Sequence, residues 1–136
     1  MRPPEEVKRE VMEGWLSKAD SDIKVAEHLL SVGSTFSDAV MFHSQQAAEK
    51  YLKAFLTFTQ VAFPKTHDLD ELLDLVESVD AGLSSSLREV IVLTPYGVEL
   101  RYPGDRPNAS VGEAVEAVEL ARKVRDAVHA ALKGCA

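Results

Sequence analysis

Apolar residues along the first quarter of the chain recur every third or fourth position. Trp15, Leu16, Ala19, Ile23, Ala26, Leu29 and Leu30 form one stripe, the spacing of an amphipathic helix. The pattern predicts a first helix from about Glu5 or Val11 to Val32, closed by Gly33, which takes the left-handed conformation at no steric cost. The run Ser34-Thr35-Phe36-Ser37-Asp38 offers side-chain caps for a second helix over Ser37 to Gln60. Its broad apolar face holds Ala39, Val40, Phe42, Ala47, Tyr51, Ala54, Phe55 and Phe58, and the small residues Ala47, Ala48 and Ala54 let another helix approach closely.

Pro64 stops any helix from continuing through the next loop. A third helix is predicted from Thr66 or His67, with Leu69, Leu72, Leu73, Val76 and Val79 as its stripe and acidic residues in the first turn, where the helix dipole favours them. A shorter fourth helix spans about Leu83 to Leu93, and a loop rich in proline and aromatic residues covers Thr94 to Asn108. Ser110, with Glu113 three positions on, makes a capping-box pattern for a last helix to about Lys133. Its stripe is Val111, Ala114, Val115, Val118, Ala121, Val124 and Val128. No stretch alternates as a half-buried strand does. The fold class expected is all-α, an antiparallel up-and-down bundle of four to five helices.

At 136 residues the chain is expected to form one domain, 1–136, with its core over about 12–132. The one cysteine, Cys135, cannot form an internal disulfide. No segment is apolar enough to span a membrane, and Met1-Arg2-Pro3-Pro4-Glu5-Glu6 is not followed by a signal-like stretch, so the expected location is cytoplasmic with no membrane partner. A net charge of −7 opposes duplex DNA binding through a broad basic face. It leaves room only for a local basic cleft built from a few arginines.

Three constellations could carry chemistry. Residues 42–54 place His43, Gln46, Glu49, Lys50 and Lys53 on an otherwise core-forming helix, with 43, 46, 50 and 53 close to one face. This is either a solvated face with a Glu49–Lys53 ion pair, or a polar seam buried at a helix–helix or subunit interface. Thr66-His67-Asp68 reads as helix capping. The segment 96–106 brings Tyr96, Arg101, Tyr102 and Arg106 onto an irregular loop, where arginine suits phosphate and tyrosine suits stacking on a base. His28, His43, His67 and His129 lie on separate elements without the Glu-x-x-His spacing of a carboxylate-bridged site, so neither metal nor other cofactor is expected.

Together the residues resemble a known family. Trp15-Leu16-Ser17-Lys18-Ala19-Asp20, the run Phe42-His43-Ser44-Gln45-Gln46-Ala47-Ala48-Glu49-Lys50-Tyr51-Leu52-Lys53-Ala54, Thr66-His67-Asp68-Leu69 and Arg101-Tyr102-Pro103 occur in the order seen in HEPN domains, a resemblance covering about residues 12–132. It implies a helical bundle that forms a homodimer. It also implies a nucleotidyltransferase partner in a toxin–antitoxin-like pair, and a nucleotide or RNA as ligand. The ligand-binding residues expected are Arg101, Tyr102, Tyr96, Lys50, Lys53 and His43. Some HEPN branches are metal-independent endoribonucleases whose arginine precedes a histidine by four to six residues at the dimer interface. No histidine follows Arg101 at that spacing; Arg122 and His129, with six residues between them, satisfy it formally and are the catalytic candidates of this alternative. A third reading is a structural dimerisation partner only.

Overall fold

The computed structural model describes residues 4–97 and 108–134. Arg101, Tyr102, Arg106 and Cys135 lie outside them. Five α-helices and two 3₁₀ segments make up the described chain, and no strand occurs among these residues. Helix α1 spans Pro4–Ser31. Proline suits this first position because its missing N–H would be unsatisfied there anyway, and Glu5 and Glu6 face the positive end of the dipole. Gly33 ends the helix with φ +122°, a conformation that a side chain would strain.

A 3₁₀ turn, Ser34–Phe36, leads into α2, Ser37–Phe58. The expected side-chain cap is not used: the N-cap position is Phe36, and Asp38 instead accepts a hydrogen bond from the Ala109 backbone N–H at 2.7 Å. One acidic side chain thus ties the start of α2 to the residues that open the last helix. The other end of α2 closes two residues before the expected Gln60. Gln60 takes the left-handed conformation (φ 61°), its N–H bonds to Thr57 O, and Val61 N–H reaches back to Leu56 O. These are the paired bonds of a Schellman termination.

Helix α3 is Leu69–Glu77, starting later than Thr66 or His67 because Asp68 is the N-cap, accepting from the Asp70 N–H at 3.0 Å. The predicted fourth helix divides. Helix α4 is only Ala81–Ser86, and Arg88–Tyr96 is a 3₁₀ stretch. Val90, Ile91 and Val92 are β-branched and Pro95 lacks an N–H, which weakens an α-helix here. A three-residue repeat stacks every third side chain; it buries Leu87, Val90 and Leu93 and leaves Ile91 and Val92 exposed. Helix α5, Val111–Gly134, opens with the capping box read from the sequence: Glu113 N–H donates to Ser110 Oγ and Ser110 N–H to Glu113 Oε1.

Helix α2 is the centre of the bundle, packed against α1, α5, α3 and the 3₁₀ stretch. Tyr51, Leu52, Leu56, Leu69, Leu72, Leu73 and Leu87 are among the largest fully buried side chains, and a smaller cluster of Ala26, Val40, Ala114 and Val118 fills the other end. Ala47, Ala48 and Ala54 are fully buried within the chain. The small-residue face therefore serves packing inside the bundle and is not available for a second copy. Trp15 is half-buried at the bundle edge. Among the described residues no helix is long and apolar enough to cross a membrane.

Candidate functional site

Of the two readings of the α2 polar residues, the buried seam is the one the fold adopts, and it divides into two carboxylate-centred groups. Glu49 is 2% and Lys53 6% exposed, with Gln45 beside them at 0%, so these are buried, while His43, Gln46 and Lys50 are partly exposed. Positions 45, 49 and 53 follow at one helical turn each, so their side chains line up along α2. Glu49 Oε2 accepts from Lys53 Nζ at 2.9 Å. Its other oxygen, Oε1, accepts from Gln45 Nε2 at 3.3 Å and lies 2.8 Å from His67 Nδ1. A carboxylate oxygen accepts here, so His67 Nδ1–H is the donor of this contact, and the Nε2 edge of the ring is not engaged by it. The Lys53 ammonium lies over the rings of Trp15 (5.3 Å) and Phe63 (5.8 Å), which meet edge to face.

The network continues to the root of the 98–107 segment. Gln45 Nε2 also donates to the His67 carbonyl (3.0 Å). Gln46 Nε2 donates to Gln45 Oε1 (2.8 Å) and to the Gly97 carbonyl (3.3 Å). Gly97 is buried against this amide pair: a Cβ there would stand 2.4 Å from the end of the Gln45 side chain, which would have to leave its hydrogen bonds to make room. Each Gln45 and Gln46 amide nitrogen thus has an acceptor, as burial requires. The His67 ring is half exposed and forms one wall of a depression of about 320 Å³ with Lys65, Thr66, Asp68 and Thr94. Thr66 and Asp68 do the capping expected of this run, while His67 between them turns to Glu49.

The second group centres on Asp22 of α1. His43 Nδ1 is 2.9 Å from one of its oxygens and Lys50 Nζ donates to the other at 2.5 Å. His43, Lys50 and Lys53, expected as ligand contacts, are therefore each held by a carboxylate inside the chain. Tyr96 is partly buried against the core and lines a different hollow with Met41. Arg122 is paired with Glu27 at 2.6 Å, and the His129 ring packs edge to face on Tyr51, 5.9 Å between centroids. Tyr51 donates to Asp20 at 2.5 Å, and its phenol is pushed well above its ordinary value, chiefly by burial and then by that hydrogen bond to a carboxylate.

The model of the HEPN domain family matches residues 12–131. The chain belongs to the HEPN family. Its fold is similar to the crystal structure of TT1696 from Thermus thermophilus, with a TM-score of 0.68 and 28% identity over 87% of this chain and 95% of that one. It is similar also to ST0689, described as an archaeal HEPN homologue, with a TM-score of 0.67 and 22% identity over 88% of this chain and 95% of that one. No curated protein matches the chain. Within this HEPN bundle, sequence reasoning had singled out the α2 polar residues and the 66–69 run, but had missed that Glu49 joins His67 to the seam; the expected contacts Arg101 and Tyr102 lie outside the described residues. The Gln45–Glu49–Lys53 spacing was a visible signal; the long-range partners Asp22, His67 and Gly97 had none.

Proposed function

We propose that this HEPN protein is a cytoplasmic, homodimeric binding module for a nucleotide or RNA, acting with a nucleotidyltransferase partner in a toxin–antitoxin-like pair. The phosphate is engaged by the Arg101 guanidinium and the base by Tyr102, on the segment that begins at Gly97. The observation that carries this reading is the buried network joining His67 to Gly97, because it fixes the root of the arginine-bearing segment to the rigid centre of the bundle. His67, whose half-exposed ring lines the neighbouring depression, supplies a further polar contact. Lys50, Lys53 and His43 act as scaffold behind the site and not as direct contacts, since each is already held by Asp22 or Glu49.

With the small alanines of α2 spent inside the bundle, the dimer contact we assign is the outer strip of α1. Val7 and Val11 are exposed there, one turn apart, and Val11, Gly14, Trp15 and Lys18 line a shallow hollow. The endoribonuclease reading built on Arg122 and His129 is less well supported, because Arg122 is committed to Glu27 and His129 to the face of Tyr51.

The test is a titration of labelled RNA and of ATP against wild type, Arg101→Ala and His129→Ala at low and moderate salt. A charge-assisted hydrogen bond contributes about 1.5–3 kcal/mol, so Arg101→Ala should weaken binding by about tenfold or more, and His129→Ala should not. Loss of RNA cleavage in EDTA on His129→Ala, with Arg101→Ala silent, replaces this reading with the ribonuclease. Absence of binding to wild type leaves the structural-partner reading. Light scattering of Val11→Glu checks the dimer: it should lower the molar mass to that of one chain.

A further inference from the structure

A second surface shares no lining residue with the His67 depression and has a different chemistry. Between the 3₁₀ stretch and the first half of α5 runs a hollow of about 300 Å³ floored by Met41, Leu93, Ala117 and Leu120. A second, shallower hollow continues it along α5, the two sharing Glu116 and Leu120. Each lining includes an exposed valine: Val92, 55% exposed, in the first hollow and Val115, 39% exposed, in the second. Exposed valines beside the apolar floor of a continuous groove mark a surface suited to a partner's apolar side chains.

The charge at the rim says what kind of partner. Among the described residues, Glu89, Glu113, Glu116 and Glu119 line the two hollows against one cation, Lys123, which is already paired with Glu89. Glu113 serves the capping box, while Glu116 and Glu119 make no ion pair among the described residues. A second copy of this chain laid on the same face would bring these carboxylates against their equals, in a molecule already at −7. We propose that this groove docks an amphipathic helix of a partner protein, with apolar residues at i, i+3, i+4 and i+7 on the floor and lysines or arginines on both flanks against Glu116 and Glu119.

The experiment measures fluorescence anisotropy of two labelled helical peptides against the full chain. They carry the same leucines, with flanks of lysine in one and glutamate in the other. The basic peptide should bind wild type, and salt at about 0.5 M should weaken it. The double variant E116K/E119K should bind the basic peptide at least about tenfold more weakly and should now bind the acidic one; both changes are on exposed helix positions, and circular dichroism checks that the helix content is kept. Val115→Glu should weaken either peptide by excluding the apolar face. Equal binding of the two peptides to wild type overturns the proposal, as does binding to neither. A change of molar mass in E116K/E119K also overturns it, because it would make a second copy the occupant. None of these outcomes depends on RNA or nucleotide binding.

Discussion

Replacing Glu49 by glutamine keeps the shape of the side chain and removes one buried charge, so it isolates the electrostatic part of the seam. Two unit charges 2.9 Å apart attract by about 6 kcal/mol at an effective dielectric of about 20. In the wild type much of that is offset by the desolvation of both groups. In Glu49→Gln the attraction is gone but the desolvation of Lys53 remains, because the ammonium stays 7% exposed with no carboxylate beside it. Breaking a buried pair in this way costs about 3–5 kcal/mol. The rings of Trp15 and Phe63 still face the cation and recover part of it, so the lower end, about 3 kcal/mol, is expected. An unfolding entropy of about 2.1 cal/mol/K per residue over 136 residues converts this to a Tm lower by about 10 °C. Urea denaturation of Glu49→Gln, Lys53→Met and the double variant forms the assay. The double variant should be less destabilised than the sum of the singles by more than about 1 kcal/mol, since neither lone charge remains. A Glu49→Gln protein within about 0.5 kcal/mol of wild type, or single effects that simply add, refutes a buried charge pair at this place.

Three further outcomes follow from other parts of the chain. Gly97 has φ −86°, which alanine accepts, so Gly97→Ala should cost up to about 1–3 kcal/mol by displacing the Gln45 amide from its hydrogen bonds, measured in urea; a neutral result means the network does not hold Gln45 in place. The folded state holds the Tyr51 proton above the ordinary value of 10.0, so its contribution to stability is full below pH 10 and declines as pH rises beyond it. Tyr51→Phe should therefore lose stability less steeply than wild type over about pH 10 to 11.5 in pH-dependent urea melts, and parallel curves would contradict the burial argument. Trp15 is half-buried and Leu52 fully buried, so Leu52→Ala should cost about 2–5 kcal/mol and Trp15→Ala less; calorimetry reversing that order would return Trp15 to the core.

Periodicity and capping chemistry made α1, α2 and α5 legible before any coordinates, and Ser110 with Glu113 is capped as the sequence pattern said. Helix ends moved where local bonding outweighed pattern: Asp68 took the cap one residue after His67, and Gln60 turned left-handed. Residues 88–93 were read as α-helix and Thr94–Tyr96 as loop, where one 3₁₀ stretch runs through both, because an apolar three-residue repeat and a 3.6-residue one are hard to separate over so few positions. The polar residues of α2 were legible as a group. Their partners were not, since Asp22, His67 and Gly97 come from other elements and only the fold brings them to α2. Trp15 looked like core from its stripe, but the same ring lies beside a buried lysine at the bundle edge.

The claim that a phosphate-bearing ligand sits where the network of Glu49, Gln45 and Gln46 meets Gly97 is tested most directly by NMR. ATP and a short RNA are titrated into protein labelled with ¹⁵N, following the backbone amide of Gly97 and the ring nitrogens of His67 and His129. The account predicts that Gly97 and His67 shift along one saturating curve, that His129 stays still, and that Arg101→Ala abolishes the shifts. Shifts confined to His129 and the neighbourhood of Arg122, or shifts at Gly97 and His67 that survive Arg101→Ala unchanged, contradict it.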